Sequence, residues 1–252
     1  MLLEVAENAN TYTPLGPTDE RIVTDRYVLW LGRGDAPAWN VAQRFRLDAG
    51  EVDAVRAEIH GQLRARGRTA CTWEIGSSAT PGDLVDRLLA RGLVDDDEPL
   101  AIGMVLTEPP ADAALAAGLV IRRAASDRDE LIGARIAAAA FGSPVGVARR
   151  FDPDAATVTY VAFLDGEPVA RATAAFSAWG VSLFGGATLP HARGRGAYRA
   201  LVAARWRDAA ARGTPTAFTQ AGRQSRPILA RLGFRDVCEI RILLDAFDRS
   251  RP

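Results

Sequence analysis

Leu183-Phe184-Gly185-Gly186-Ala187-Thr188-Leu189-Pro190-His191-Ala192-Arg193-Gly194-Arg195-Gly196-Ala197-Tyr198 decides how this chain is read. An apolar strand-like run stops at Pro190, passes through a Gly/Arg turn and feeds an Ala/Leu/Val-rich helical segment that extends to Gly213. That order places backbone N–H donors at the positive end of a helix dipole, where an anion, most naturally a phosphate, is held. Gly194 and Gly196 let the backbone adopt dihedrals closed to other residues. Successive N–H groups in such a turn converge on one anion, and Arg193 and Arg195 add charge-assisted hydrogen bonds. A dinucleotide fold does not fit, because the glycine spacing differs and three hairpin-connected strands precede the turn. A Walker-type nucleotide loop does not fit either, because Gly-Lys-Ser/Thr is missing.

Outward from this stretch the second half reads as strand Leu119–Arg123, a helix capped by Ser126-Asp127 and running to Phe141, and a break at Gly142-Ser143-Pro144. A short helix over Val145–Arg150 is expected next. Strands then follow at Thr157–Leu164, Val169–Ser177 and Val181–Leu189, the first two joined by the hairpin turn Asp165-Gly166-Glu167-Pro168. After the Gly/Arg turn and its helix come strand Thr216–Gln220, a helix over Ser225–Leu232 ended by Gly233, and a final strand Val237–Leu244.

In the first half, residues up to Glu20 are expected to form a loosely held arm. Strands are expected at Tyr27–Leu31, Trp39–Leu47, Thr69–Ile75 and Leu100–Leu106. Helices are expected over Glu51–Arg66, capped by Asp48, and from Thr80-Pro81 to Gly92. Asp95-Asp96-Asp97-Glu98 reads as a solvated turn, not a metal site, because nothing nearby supplies further ligands. The alanine-rich segment Ala111–Gly118 marks the boundary, dividing the chain into domains 1–112 and 118–252.

The halves resemble each other in element order. Each has a helix ending in Ala-Arg-Gly and a later Leu-Ala-Arg run, Leu89-Ala90-Arg91 and Leu229-Ala230-Arg231. Where the second half carries Gly and Arg at the helix start, the first carries Asp48-Ala49-Gly50-Glu51, whose acids repel a phosphate.

Arg193 and Gly196, in the run Leu189–Leu201, match the Arg/Gln-x-x-Gly-x-Gly/Ala motif that binds acyl-CoA in the GCN5-related N-acetyltransferase (GNAT) superfamily. The chain resembles that family over its whole second half, and the first half resembles a degenerate copy without the cofactor turn. The resemblance implies an α/β fold, a mixed sheet in two tandem GNAT-like domains. It implies that acetyl-CoA is the co-substrate, with the pyrophosphate on the backbone of Arg193, Gly194, Arg195, Gly196, Ala197 and Tyr198. Pantetheine would pair along Ala187, Thr188 and Leu189. Tyr198 departs from the motif at its last position and crowds the pyrophosphate side.

The implied reaction is attack of an amine, on a small molecule or peptide, upon the thioester, with an oxyanion stabilised by backbone N–H groups near a bulge in the motif strand. Gly185-Gly186 is where such a bulge, or simple close packing, is expected. The catalytic side chains depart from the family pattern. The tyrosine that serves as acid in many members is replaced by Leu229, and the motif strand carries no carboxylate to act as base. Ser225, contacting the thiol through water, and Tyr160, facing the acceptor, are the candidates that remain; His191 lies nearer phosphate than thioester. In the first half Trp39, Trp73 and Glu74 are candidates for acceptor contact, against ordinary packing roles. Two other readings stay open: an acyl-CoA-binding regulatory module without turnover, and transfer of a different acyl group.

Composition agrees with this range. The 252 residues balance 31 basic against 31 acidic side chains, so no global field recruits nucleic acid or an acidic membrane. Every basic residue other than the two histidines is arginine, which excludes a lysine nucleophile. Cys71 and Cys238 stand far apart and two histidines build no metal centre, so free buried thiols and no metal are expected. No basic leader and no membrane-length apolar run is present. The expectation is a cytoplasmic monomer or homodimer.

Overall fold

The computed structural model describes residues 1–111 and 117–247, so most of the expected boundary segment Ala111–Gly118 lies outside the described residues. Packing groups the chain into two units that are not continuous in sequence. One comprises Met1–Met104, Gln220–Arg226 and the chain from Asp236; the other comprises Val105–Thr219 and Pro227–Arg235. This differs from the linear division at 112/118, because the last strand packs with the first unit.

The first unit opens with short helices α1 (Leu2–Glu7) and α2 (Ala9–Tyr12). They are held, not loose. Val5, Ala6, Glu7 and Asn8 are buried, and the Glu7 carboxylate accepts the Ser78 N–H at 2.7 Å and the Ser77 hydroxyl at 3.2 Å. Strands β1 (Glu20–Val23), β2 (Val28–Leu31) and β3 (Asn40–Gln43) pair antiparallel in turn. Helix α3 (Val52–Arg64) crosses over to β4 (Ala70–Gly76), which pairs parallel to β3 with Val41 opposite Thr72. Its buried stripe Val52, Val55, Ile59 and Leu63 has helical spacing and packs in one core with Trp73 and Phe45, whose rings stack at 4.8 Å.

Helix α4 (Leu84–Leu89) begins later than Pro81. Strand β5 (Val94–Leu106) takes in Asp95–Glu98, so this acidic run is strand and not turn; Arg241 pairs with Asp95 and keeps its charge at the surface.

In the second unit β6 (Leu119–Arg123) leads to α5 (Asp127–Phe141). The α5 ends are those read from sequence: the Ser126 hydroxyl accepts the Asp129 N–H at 3.2 Å, and Gly142 closes the helix in the left-handed region at φ +66°. No helix forms over 145–150. The meander β7 (Thr157–Leu164), β8 (Glu167–Ser177) and β9 (Gly180–Thr188) pairs antiparallel, with β6 on the outer side of β7. Helix α6 (Ala197–Ala211) then crosses to β10 (Ala217–Ala221), parallel to β9. Short α7 (Arg226–Arg231) follows, and β11 (Arg235–Ala246) pairs antiparallel with β4, Leu243 opposite Trp73. Each unit therefore contains an antiparallel meander ending in a parallel β–α–β crossover.

Candidate functional site

Strand β9 is irregular where the sequence places two adjacent glycines. Arg171 of β8 faces Ala187 and Thr173 faces Phe184, so one residue of β8 opposes two of β9, Gly185 and Gly186. This is a β-bulge, and Gly185 supplies its left-handed residue at φ +57°. On its other side β9 pairs with β10 only at Val181–Ala217 and Ser182–Phe218. The Thr219 hydroxyl then donates to the Leu183 carbonyl at 2.9 Å in place of a further backbone rung. Beyond that point the edge of β9 away from β8 is outside the ladder, while its other edge stays paired, Leu189 N–H donating to Val169 at 2.9 Å.

Past Leu189 a single 3-10 turn, Pro190–Ala192, leads into Arg193. Gly194 and Gly196 both lie at positive φ, +76° and +83°, and Gly196 is the N-cap of α6. Its carbonyl accepts the Ala200 N–H at 3.0 Å, so the N–H groups of Ala197, Tyr198 and Arg199 precede the first intrahelical acceptor. The Arg193 N–H is engaged by the Pro190 carbonyl at 3.3 Å, so the free donors begin at Gly194. Arg193, Arg195 and Arg199 are exposed around this nest, and Arg193 Nε also donates to the Thr188 carbonyl at 3.3 Å. Tyr198 turns its ring onto the strand: a Cβ at Gly186 would stand 2.8 Å from it. The tyrosine that the sequence reading placed against the pyrophosphate thus packs α6 onto β9, and burial raises its hydroxyl pKa.

Ala187, Thr188, Leu189 and the run 193–198 are brought together along one strand and the helix start it feeds. The two catalytic candidates are placed otherwise. Tyr160 is 2% exposed and donates to the Asp208 carboxylate, with burial and that acceptor raising its pKa. Asp208 stands 11 residues along α6 from Ala197, about 16 Å from the nest at 1.5 Å per residue. Ser225 packs with the first unit, and its hydroxyl donates to the Gly222 carbonyl at 3.3 Å. Leu229, where the resemblance puts an acid, is buried.

In the first unit Trp73 is core. Trp39 is 38% exposed, 5.9 Å from the Trp30 ring and under the Arg33 guanidinium at 5.4 Å. Burial pushes the Glu74 carboxyl up to about 7 although the Gln220 amide donates to it at 3.3 Å. The expected acidic helix start is internally closed: Glu51 turns back to accept the Asp48 N–H at 2.8 Å, and Glu51, not Asp48, is the N-cap of α3. Cys71 and Cys238 are free and buried. Among the described residues no group of side chains is arranged to hold a metal, and no helix is long and apolar enough to cross a membrane.

Sequence reasoning missed the arginines at the bulge. Arg171 Nη1 donates to the Gly185 carbonyl at 2.8 Å, and Arg205 Nη1, on α6, donates to the Thr173 carbonyl at 2.9 Å. Arg205 is 1% exposed, an outlier for its residue type. A basic residue amid the apolar positions of the α6 stripe, at Ala204-Arg205-Trp206, was its only trace in the sequence.

A bulged meander strand that parts from its parallel neighbour and feeds a glycine-lined helix start sets the class of α/β fold. Comparison with solved structures gives the particular one. The chain is similar to a GCN5-related N-acetyltransferase from Kribbella flavida at TM-score 0.75 and 21% identity, covering 97% of this chain and 95% of that one. It is also similar to one from Sphaerobacter thermophilus, at 0.64 and 15%, covering 89% and 82%. A tandem GNAT protein from the clavulanic acid biosynthesis pathway matches at 0.61 and 15%, covering 99% and 94%. The fold is that of the GNAT superfamily, in two GNAT-like units along one chain. No family model matches the sequence, and no curated protein matches it.

Proposed function

We propose that the chain is an N-acetyltransferase that moves the acetyl group of acetyl-CoA to an amine of a small molecule or peptide in the cytoplasm. The observation that carries this reading is the bulge at Gly185-Gly186 lying on the same strand as the nest at 194–199, with an unpaired strand edge between them. The nest suits a pyrophosphate, the edge suits the amides of pantetheine, and the bulge N–H groups suit the thioester oxygen. In the reaction the neutral amine forms a C–N bond to the thioester carbon while the carbonyl pair moves to oxygen. The oxyanion collapses with loss of CoA thiolate, and the proton released by the amine returns through water to the thiolate. On this reading the site belongs to the second half, and the first half is a degenerate copy without a second nest.

The test is titration calorimetry with acetyl-CoA. Gly196→Asp puts a carboxylate at the phosphate position, and like-charge contact of several kcal/mol weakens binding by about 100-fold or more. A folded Gly196→Asp protein that binds as tightly as wild type refutes the site. A second reading, acyl-CoA binding without turnover, is favoured by buried Leu229 at the acid position and by the carboxylate-free β9. Thiol release against a broad amine panel decides between them, since sustained turnover with any amine eliminates the binding module.

A further inference from the structure

Resting on that reading of the site, we infer that Arg171 is a positioning residue for acyl transfer: it holds the Gly185 carbonyl so that the Gly186 N–H of the same peptide donates to the thioester oxygen, with Arg205 fixing the opposing strand. The geometry of the bulge carries this. The peptide between Gly185 and Gly186 is the one that the β8–β9 register skips. Its carbonyl is turned to Arg171 Nη1 at 2.8 Å. In a trans peptide the C=O and the following N–H point in opposite directions. The Gly186 N–H therefore points away from Arg171, on the stretch of β9 that lies beyond the last pairing with β10 at Ser182–Phe218. One arginine thus decides which way this donor faces.

The contact also strengthens the donor. A guanidinium on the carbonyl polarises the whole amide, and hydrogen bonds in such a chain reinforce one another in a low-dielectric setting. The local sequence is fitted to it: a Cβ at Gly185 would overlap the Arg171 guanidinium. A glycine there leaves the side chain its place on the carbonyl.

Arg205 addresses the other strand of the bulge. It donates from Nη1 to Thr173 and from Nε to its own helix at Leu201, 3.0 Å away. Among the described residues no carboxylate forms an ion pair with it. Burial lowers its pKa to about 10, so it stays cationic at neutral pH, with the Tyr198 and Tyr160 hydroxyls and the Arg171 guanidinium as its titratable neighbours. A buried cation without a counter-ion is costly. Placed on the carbonyl that flanks the bulge, it holds the strand in register and adds a positive field where negative charge develops on the thioester oxygen.

The experiment is isotope-edited infrared spectroscopy of [1-13C]acetyl-CoA bound to the full chain. Wild type should lower the carbonyl stretch relative to free acetyl-CoA. Arg171→Gln should lose at least half of that shift while the dissociation constant changes less than about threefold, because the nest still anchors the nucleotide. Arg171→Lys, which keeps the charge, should retain most of the shift. Gly185→Ala, which keeps the arginine but evicts it from the carbonyl, should behave like Arg171→Gln and stands in for it should that variant not fold. Bound acetyl-CoA with an unchanged carbonyl stretch in Arg171→Gln or Gly185→Ala overturns the inference and leaves the proposed function standing. Wild-type protein that binds no acetyl-CoA overturns both.

Discussion

Replacing Gly186 with alanine should loosen the first turn of α6 from β9 and weaken acetyl-CoA binding without touching a ligand-contacting side chain. The added Cβ would stand 2.8 Å from the Tyr198 ring. Carbon pairs settle at about 3.5–4.0 Å, so ring and strand must part by roughly 1 Å. Neither yields freely, because the ring is fixed at the N-terminal turn of α6 and the strand is fixed by the bulge. Overpacking of this kind costs about 1–3 kcal/mol. Tyr198→Ala alone removes a largely buried ring and costs about 3 kcal/mol. The two changes share one cause, so the double variant should lose little more than Tyr198→Ala, a coupling of about −1 to −2 kcal/mol. Urea unfolding followed by circular dichroism measures the cycle. Calorimetry measures the second effect: misplacing one N–H that bonds a charged phosphate forfeits about 1.5–3 kcal/mol, or roughly 10- to 100-fold in affinity. Strictly additive losses would show that Tyr198 does not press on Gly186, and the account of the site's packing would fall with them.

Two pH-dependent predictions concern the first unit. Burial raises the Glu74 carboxyl from 4.5 to about 7, so the unfolded chain releases this proton first. Glu74 should therefore withdraw up to roughly 3 kcal/mol of stability as pH rises from about 4.5 to 7 and nothing further above it; Glu74→Gln, followed by urea unfolding at both ends of that window, should flatten the slope and be the more stable protein at pH 8. Asp245 is the opposite case. Burial alone would raise it, but the His60 and Arg56 hydrogen bonds at 2.7 and 2.8 Å prevail and hold it below the usual carboxylate range. Its contribution is complete above the unfolded pKa and is lost as pH falls through the lower folded value, so Asp245→Asn should cost about 3 kcal/mol at pH 7 and have a shallower acid limb. Equal acid limbs in the two proteins would show that Asp245 titrates as an ordinary surface carboxylate.

Local signals were legible and long-range ones were not. Ser126 and Gly142 bracket α5, and the hairpin at Asp165-Gly166 has both residues at positive φ, because caps and tight turns are decided by neighbours in sequence. The nest was legible for the same reason, since Gly194 and Gly196 must supply the backbone angles themselves. The N-terminal helices were not, because Leu2–Tyr12 is held by Ser77 and Ser78, some 70 residues away. Nor was the partner of β11, which depends on register with β4 and on Asp245 meeting Arg56 across 189 positions. The bulge falls between these cases. Its glycines marked the place, but the guanidinium groups that set it come from β8 and α6 and left no motif. Sequence marked the glycines; only packing showed which side chains stand against them.

The two β–α–β crossovers make the same point by contrast. Both α3 and α6 follow the last strand of a meander and lead to a parallel neighbour, so each begins with N–H groups short of acceptors and a positive dipole end. At α6 the first turn carries no acid, and Gly194 and Gly196 hold the loop open in the left-handed region. At α3 the turn is closed by its own side chains: Glu51 takes the Asp48 N–H, Arg26 stands 3.8 Å from Glu51, and Asp53 adds a second carboxylate within the first turn. The positive end of α3 thus already has carboxylates against it, each with its own arginine partner, Arg26 beside Glu51 and Arg91 on Asp53, so it is answered from within the chain. At both crossovers the helix start is the same backbone device, and the residues ahead of it decide whether the chain's own side chains close it, as at α3, or glycines keep it open, as at α6.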